Sequence, residues 1–328
     1  MFKQTKFHTI GFKSIEFVNT MVSETDFQFH FFSPQKNIKL RFGVMRVQPN
    51  PAKGVFLLLH GRAEFIEKYK AVANQLTRKG FDVVSLDWRG QGLSSREVEN
   101  RHKGYIHSFD DYVADLTALF DDMIKPLGMP VYILSHSMGG HIALRFMAEF
   151  PHQIKKAVLA SPMVDIALPG LVYPLSKYLS KQLSKRHFEK TFTPGSKNYA
   201  SKSARFQGNK LCHDPEQFRI LHDEIRKNPD LAIGGVTWGW LNAAFESIDI
   251  LKDETFLQNI KTPVLILGAE NDAVVSLAAQ EKLSRKLSHG EFHCIEGAFH
   301  ELMFETPRIR EKLWSLFDRF MREESKGF

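Results

Sequence analysis

Val131-Tyr132-Ile133-Leu134-Ser135-His136-Ser137-Met138-Gly139-Gly140-His141-Ile142-Ala143-Leu144 joins an apolar run to a turn of small residues and then to a helical pattern. The β-branched and aromatic run Val131 to Leu134, preceded by Gly128 and Pro130, predicts a strand buried on both faces. Helical spacing then takes over, with Ile142, Leu144, Phe146 and Met147 on the apolar side and Pro151 just past the end. Between the two lies Ser-x-Ser-x-Gly, one residue away from Gly-x-Ser-x-Gly, the elbow that holds a serine on a strained turn with its hydroxyl exposed. Ser137 is the candidate nucleophile. Such a tight turn brings backbone too close for large side chains; Gly139 meets that need, whereas Ser135 is small but carries a Cβ and departs from the pattern.

Strand and helix alternate on both sides of this stretch. Phe27 to Phe32 and Lys39 to Val47 predict an antiparallel hairpin at a sheet edge, with a turn at Ser33-Pro34-Gln35-Lys36-Asn37 and Pro49 and Pro51 ending it. Residues 1 to 20 support no assignment. Val55 to Leu59 reads as a buried strand running into His60-Gly61-Arg62-Ala63-Glu64, and a helix over Tyr69 to Gly80 follows. Phe81 to Leu86 is the next strand, ending in the glycine-rich loop Asp87 to Ser94, and Phe109 to Ile124 is helical. Ala157 to Ala160 predicts a strand after the elbow helix. From residue 163 to residue 248 the rhythm stops; prolines, lysines and serines are dense, helical patches such as Pro215 to Arg226 occur, and no buried strand is evident. Alternation resumes with a strand at Val264 to Leu267, a helix over Ala278 to Leu287, a strand at Glu291 to Ile295 and a helix from Pro307 to Arg322. The expectation is an α/β fold with a mostly parallel sheet covered by helices on both faces. Its core spans residues 1–162 and 249–328, interrupted by a helical insertion at 163–248.

At 328 residues with 43% hydrophobic content, the chain has ample apolar material for a large core. The net charge of +7, from 44 basic and 37 acidic residues, is compatible with an anionic surface or substrate and does not call for nucleic acid; none is expected as a partner. Cys212 and Cys294 are the only cysteines, with no metal-ligand or redox spacing, so a disulfide framework is excluded and neither metal nor cofactor is expected. Met1 to Ile10 has no apolar core of a signal peptide, and no run approaches the roughly 18 apolar residues that cross a bilayer. These features predict a cytoplasmic protein.

A serine hydroxyl needs a histidine to take its proton and a carboxylate to orient that histidine. In a parallel sheet, functional residues collect at the carboxyl ends of strands. Asp272 follows the Val264 strand, His300 follows the Glu291 strand, and Ser137 sits at such an end too. Glu270 is an alternative acid, and Asp272 read alone is equally a helix cap. His60, His136 and His141 lie in turns or a helix and read as structural. Backbone N–H groups of Met138, at the start of the elbow helix, and Arg62, in the loop after the Val55 strand, are the candidate oxyanion donors.

The motifs His60-Gly61-Arg62-Ala63-Glu64, Asp87 to Ser94, Ser135 to Gly140, Gly268 to Asp272 and Gly297 to Glu301 resemble those of α/β-hydrolase serine hydrolases. The narrower likeness is to the bacterial lysophospholipase and monoacylglycerol lipase group, over residues 25 to 322. The resemblance implies a catalytic triad of Ser137, Asp272 and His300, hydrolysis of monoacyl lipid esters, and a lid formed by residues 163 to 248. Within that segment Leu168, Leu171, Val172, Leu175, Tyr178, Leu179 and Leu183 can share one helix face, opposite Lys177, Lys181, Lys185 and Arg186, as suits peripheral contact with an anionic membrane at its inner face. Arg62, Trp238 and Trp240 are candidate substrate contacts. Two other readings share the residues: a carboxylesterase for small soluble esters, and a non-catalytic binding protein on the same fold.

Overall fold

The computed structural model describes residues 26–47, 51–201 and 204–323; the expectations for residues 1–20 and Pro49 fall outside these. Eight strands form one sheet: β1 (Gln28–Gln35), β2 (Ile38–Met45), β3 (Val55–Leu59), β4 (Asp82–Leu86), β5 (Val131–His136), β6 (Lys156–Ala160), β7 (Val264–Ala269) and β8 (Gly290–Ile295). Their spatial order is β1-β2-β4-β3-β5-β6-β7-β8, antiparallel at β1-β2 and β2-β4 and parallel elsewhere. The α-helices among the described residues are α1 (Lys70–Arg78), α2 (Phe109–Leu119), α3 (Met138–Glu149), α4 (Val172–Lys185), α5 (Pro215–Lys227), α6 (Trp238–Ile250), α7 (Glu254–Leu257), α8 (Leu277–Ser284) and α9 (Pro307–Arg322).

Side chains alternate across the pleat and divide the core in two. Leu57, Leu59 and Ile133 point into a cluster with Leu116 of α2 and Ile142 and Phe146 of α3. Phe56, Leu58 and Leu134 point the other way, against Leu76 of α1 and Trp314 and Phe317 of α9. The parallel strands can be continuously apolar because helices cover both faces. At the end of α9, the Lys156 ammonium donates to the Phe320 carbonyl at 2.7 Å, satisfying a carbonyl the helix leaves free.

Several boundaries differ from expectation for local reasons. The hairpin turn is tighter: Gln35 pairs with Ile38 around Lys36-Asn37, Asn37 takes φ 67°, and the irregularity falls between Phe32 and Gln35, where Pro34 has no N–H to pair. The helix begun at Phe109 widens into a π turn over Phe120–Ile124, then a 3₁₀ turn containing Pro126, whose missing N–H ends the α ladder. Between β6 and β7 lie α4, α5, α6 and α7, joined by long irregular segments; α6 runs on past residue 248 to Ile250.

The topology decides where a ligand can sit. After β3 the chain pairs β4 on one side, and β5 then pairs with β3 on the other. The loops leaving neighbouring β3 and β5 therefore diverge, opening a crevice beyond their carboxyl ends. Leu59 stands opposite Ser135, so the His60 loop and the Ser137 turn begin side by side.

Candidate active site

Ser137 has φ 51° and ψ −118°, a conformation a residue with a Cβ rarely adopts, at the junction of β5 and α3. Hydrogen bonds over-determine it: the Ser137 N–H donates to the Ala160 carbonyl at 3.1 Å, and the Ser137 carbonyl accepts from Gly140 and Met163 N–H groups at 3.0 and 2.9 Å. A Cβ at Gly139 would overlap the Leu59 and His60 carbonyl oxygens, so α3 can start this close to β3 only with glycine there. Gly140 is held to glycine chiefly by the chain leaving the strand beside it: a Cβ there would lie 2.7 Å from the Pro162 Cβ, and 3.3 Å from the Ser135 hydroxyl.

The structure brings Ser137, His300 and Asp272 together. His300 Nε2 lies 3.0 Å from Ser137 Oγ, and His300 Nδ1 lies 2.7 Å from Asp272 Oδ2. A carboxylate only accepts, so Nδ1 carries the proton and Nε2 accepts from the serine hydroxyl. The other Asp272 oxygen takes the Val274 and Val275 N–H groups at 2.8 and 2.9 Å. Burial alone would raise the Asp272 carboxyl, but the bond and charge of His300 and these two amides outweigh it and hold the group below the usual carboxylate range. Glu270 does not reach His300; it accepts the Gly297 N–H at 2.7 Å, bracing the loop that carries the histidine.

The loop after β3 lies across the crevice from the elbow. Trp88 Nε1 donates to the His60 carbonyl at 2.9 Å, the Ala63 N–H donates to Gln91 Oε1 at 2.6 Å, and Gln91 Nε2 reaches Met138 Sδ at 3.7 Å, so the Asp87 to Ser94 loop props both. Among the described residues, neither the Arg62 nor the Met138 N–H donates to another protein group.

Arg62 and Ser137 line one cavity of about 530 Å³. Its walls come from the segment after β6 (Met163, Ile166, Leu168), from α4 (Val172, Leu175, Leu179) and from Trp238 and Trp240 of α6. Among the described residues no carboxylate lines it, and the Arg62 guanidinium has no ion-pair partner. Nη1 of Arg62 donates to the Gly234 carbonyl at 3.0 Å, and the guanidinium stands 5.8 Å from the Trp240 ring centre. Burial lowers its affinity for its proton.

The three other histidines are tied into the fold. His60 Nδ1 lies 2.9 Å from the Gly61 carbonyl, His141 lies between Met163 and Ser247, and His136 Nδ1 lies 3.1 Å from Glu64 Oε2. His136 is nevertheless closer to the chemistry than its reading as structural implied, since its ring centre is 4.7 Å from that of His300. Glu64, Lys68 and Glu301 were not singled out by sequence. Lys68 is buried between the two carboxylates at 2.6 and 2.8 Å, a pairing that composition cannot reveal because lysine ordinarily reads as surface. The glutamate at the end of His60-Gly61-Arg62-Ala63-Glu64 was the available signal.

The family model described as serine aminopeptidase, S33, matches residues 50–307. The chain is 30% identical over 312 residues to lysophospholipase L2 of Escherichia coli, covering 90% of this chain and 87% of that one. It is also 30% identical over 288 residues to the monoacylglycerol lipase of Mycolicibacterium smegmatis, covering 87% and 94%. A soluble variant of the Saccharomyces cerevisiae monoglyceride lipase, solved with a substrate analogue, superposes with a TM-score of 0.70 at 18% identity over 92% of this chain and 96% of that one, a likeness of fold. The chain belongs to the α/β-hydrolase family described as serine aminopeptidase, S33, within its lysophospholipase and monoacylglycerol lipase group.

Proposed function

We propose that the chain hydrolyses the carboxylic ester of a monoacyl lipid, a lysophospholipid or a monoacylglycerol, through an acyl-enzyme on Ser137. The observation that carries this reading is the chain of hydrogen bonds from Ser137 through His300 to Asp272, at 3.0 and 2.7 Å, opening on an apolar cavity without carboxylates. The names of the two relatives at 30% identity support the substrate class.

Ser137 Oγ attacks the ester carbonyl while His300 Nε2 takes its proton, and Asp272 stabilises the imidazolium that results. The carbonyl oxygen becomes an oxyanion held by the Met138 and Arg62 N–H groups, the first aided by its place at the start of α3. Collapse breaks the ester C–O bond, and the alcohol leaves with the proton from His300. Water then gives its proton to His300 and attacks the acyl-serine; release of the fatty acid restores Ser137. The acyl chain lies against Leu168, Val172, Leu175, Trp238 and Trp240, and the Arg62 guanidinium faces the headgroup. No metal or cofactor enters this scheme.

Residues 163–248 act as the lid of this site in our reading, because they supply most of its walls. Leu171, Leu175 and Tyr178 stand 86%, 57% and 61% exposed beside the cavity, and Lys181, Lys185 and Arg186 are exposed at the far end of α4. Apolar groups flanked by cations suit the surface of an anionic bilayer. Among the described residues no helix is long and apolar enough to cross one. We place the enzyme in the cytoplasm against the inner membrane face; its unpaired Cys212 and Cys294 support a reducing compartment.

A panel of lysophospholipid, monoglyceride and short soluble esters, with the wild type and Ser137→Ala, tests the proposal. Turnover of the two lipid esters that disappears with Ser137→Ala, together with stoichiometric labelling of wild-type Ser137 by a fluorophosphonate, is the expected result. Retained activity in Ser137→Ala overturns the mechanism, and a preference for short soluble esters replaces the substrate class.

A further inference from the structure

Glu64 is a buried carboxylate with four donors. It accepts from the Gly61 N–H at 2.5 Å, Lys68 Nζ at 2.6 Å, the Tyr69 hydroxyl at 2.8 Å and His136 Nδ1 at 3.1 Å. The other nitrogen of His136, Nε2, lies 3.3 Å from the backbone carbonyl of His300. Both partners of this imidazole are acceptors only, so both ring nitrogens must donate, and a ring donating from both nitrogens is an imidazolium. Charge balance agrees: Glu64 and Glu301 bring two negative charges, Lys68 brings one positive, and a protonated His136 makes the buried set neutral.

We infer that His136 is a positioning residue: as an imidazolium between Glu64 and the His300 carbonyl, it fixes the catalytic base against Ser137 and ties it to the oxyanion loop. This rests on the serine-hydrolase reading of Ser137 and His300. One carboxylate thus anchors both halves of the machinery, holding the oxyanion loop through the Gly61 N–H and the base through His136. The ionisable groups facing His136 are Glu64, Lys68 and Tyr69 from the segment after β3, and Glu301 and the His300 ring from the loop after β8. Burial pulls its affinity for the proton down, but the charge and hydrogen bond of Glu64, helped by Glu301, outweigh burial and raise it above the ordinary histidine value. The interaction is therefore complete below the ordinary histidine value of about 6.5 and is lost as pH rises through the raised value. Neutral His136 keeps its bond to Glu64 and turns a lone pair toward the His300 carbonyl, so kcat falls on the alkaline side while KM holds.

Two measurements test this. In the intact protein with ¹⁵N-labelled histidine, both ring nitrogens of His136 are expected to be protonated at pH 7; a neutral ring there overturns the inference, whatever substrate the enzyme prefers. In kinetics, His136→Ala is expected to lose roughly 10- to 100-fold in kcat with KM little changed, the scale of a misplaced catalytic group. His136→Gln, whose amide donates without titrating, is expected to recover most of kcat and to lack the alkaline fall. An unchanged kcat in His136→Ala, or the wild-type alkaline fall in His136→Gln, overturns it. Stoichiometric fluorophosphonate labelling of both variants separates this outcome from failure of the Ser137 mechanism itself.

Discussion

His141 Nε2 lies 2.6 Å from the Ser247 hydroxyl, joining the elbow helix α3 to α6, the last long helix before β7. Arg145 Nη1 donates to a lone pair of the same hydroxyl at 2.8 Å, and burial beside this cation keeps the imidazole neutral, so Nε2 accepts the Ser247 proton. The imidazole proton is then on Nδ1 and meets the Met163 carbonyl at 2.8 Å. His141 is therefore neutral, and it clasps both ends of the 163–248 segment to the helix that begins at the nucleophile.

This arrangement predicts an acid weakness. Burial, reinforced by the charge of Arg145 against the opposing Met163 bond, pushes His141 down to about 4. Below the unfolded value of about 6.5 the unfolded chain binds a proton that the native protein refuses, so stability falls as pH drops and levels off below the folded value. The whole effect is on the order of 3 kcal/mol, because each tenfold change in proton affinity contributes about 1.36 kcal/mol. Urea titrations from pH 8 to pH 4 check it: His141→Gln is expected to be less stable at pH 8 and to lose less than the wild type on acidification. Parallel curves for the two proteins would refute the assignment.

Asp272→Asn is expected to lower kcat by about 10⁴-fold, the scale of a wrong histidine tautomer. The structure fixes which way the amide turns. Val274 and Val275 N–H groups already donate to Oδ1, so the asparagine oxygen must take that side and its NH₂ must face His300 Nδ1. Nδ1 then becomes the acceptor, the ring proton moves to Nε2, and Nε2 can no longer accept from Ser137. Steady-state kinetics should show the loss in kcat with KM nearly unchanged, and ¹⁵N shifts of His300 should show the exchanged tautomer. A variant within tenfold of wild type would mean that Asp272 does not orient the base.

The parts of this site written in contiguous residues were legible in the sequence. Val55 to Leu59 and Pro307 to Arg322 have their observed bounds, because an unbroken apolar run and an amphipathic period between Pro307 and Arg322 are local signals. Ser137, Asp272 and His300 could be ranked because each follows a strand. The need for glycine at position 140 was not legible, since it depends on Pro162 arriving from the next strand. Nor was the Glu64 network, whose contacts join residues 72 and 164 positions apart. A buried lysine or protonated histidine is set by what the fold brings beside it, and periodicity carries no trace of that.

Arg62 offers a way to separate the headgroups. Arg62 lines a cavity with no carboxylate among the described residues, and its guanidinium donates to the Gly234 carbonyl and stands 5.8 Å from the Trp240 ring centre. A desolvated cation of this kind gains most from a substrate that brings an anion, and a charged hydrogen bond contributes about 1.5–3 kcal/mol. Arg62→Ala keeps the backbone N–H proposed to serve the oxyanion, so both substrates retain that donor. We expect kcat/KM to fall roughly 10- to 100-fold for lysophospholipid and far less for monoglyceride. Equal losses on the two would show that the guanidinium does not meet a phosphate.

Membrane contact is the last expectation with its own readout. Leu171 and Tyr178 are exposed yet lie outside the cavity lining, so they can be changed without altering the walls of the cavity. Burying a leucine or an aromatic ring in a lipid interface contributes about 1.5 kcal/mol or more, close to tenfold in affinity for each. Leu171→Ser with Tyr178→Ser is expected to weaken sedimentation with anionic vesicles by roughly 100-fold while leaving turnover of a short soluble ester at its wild-type rate. The cationic end of α4 makes a second demand. Lys181, Lys185 and Arg186 lie on the surface, where charges are screened over about 8 Å at physiological salt, so binding should weaken as salt rises. Neutral vesicles should bind less well at any salt, because only the apolar part of the contact remains. Binding that ignores both the double substitution and the lipid charge would place the docking surface elsewhere on the chain, and α4 would then serve only to wall the cavity.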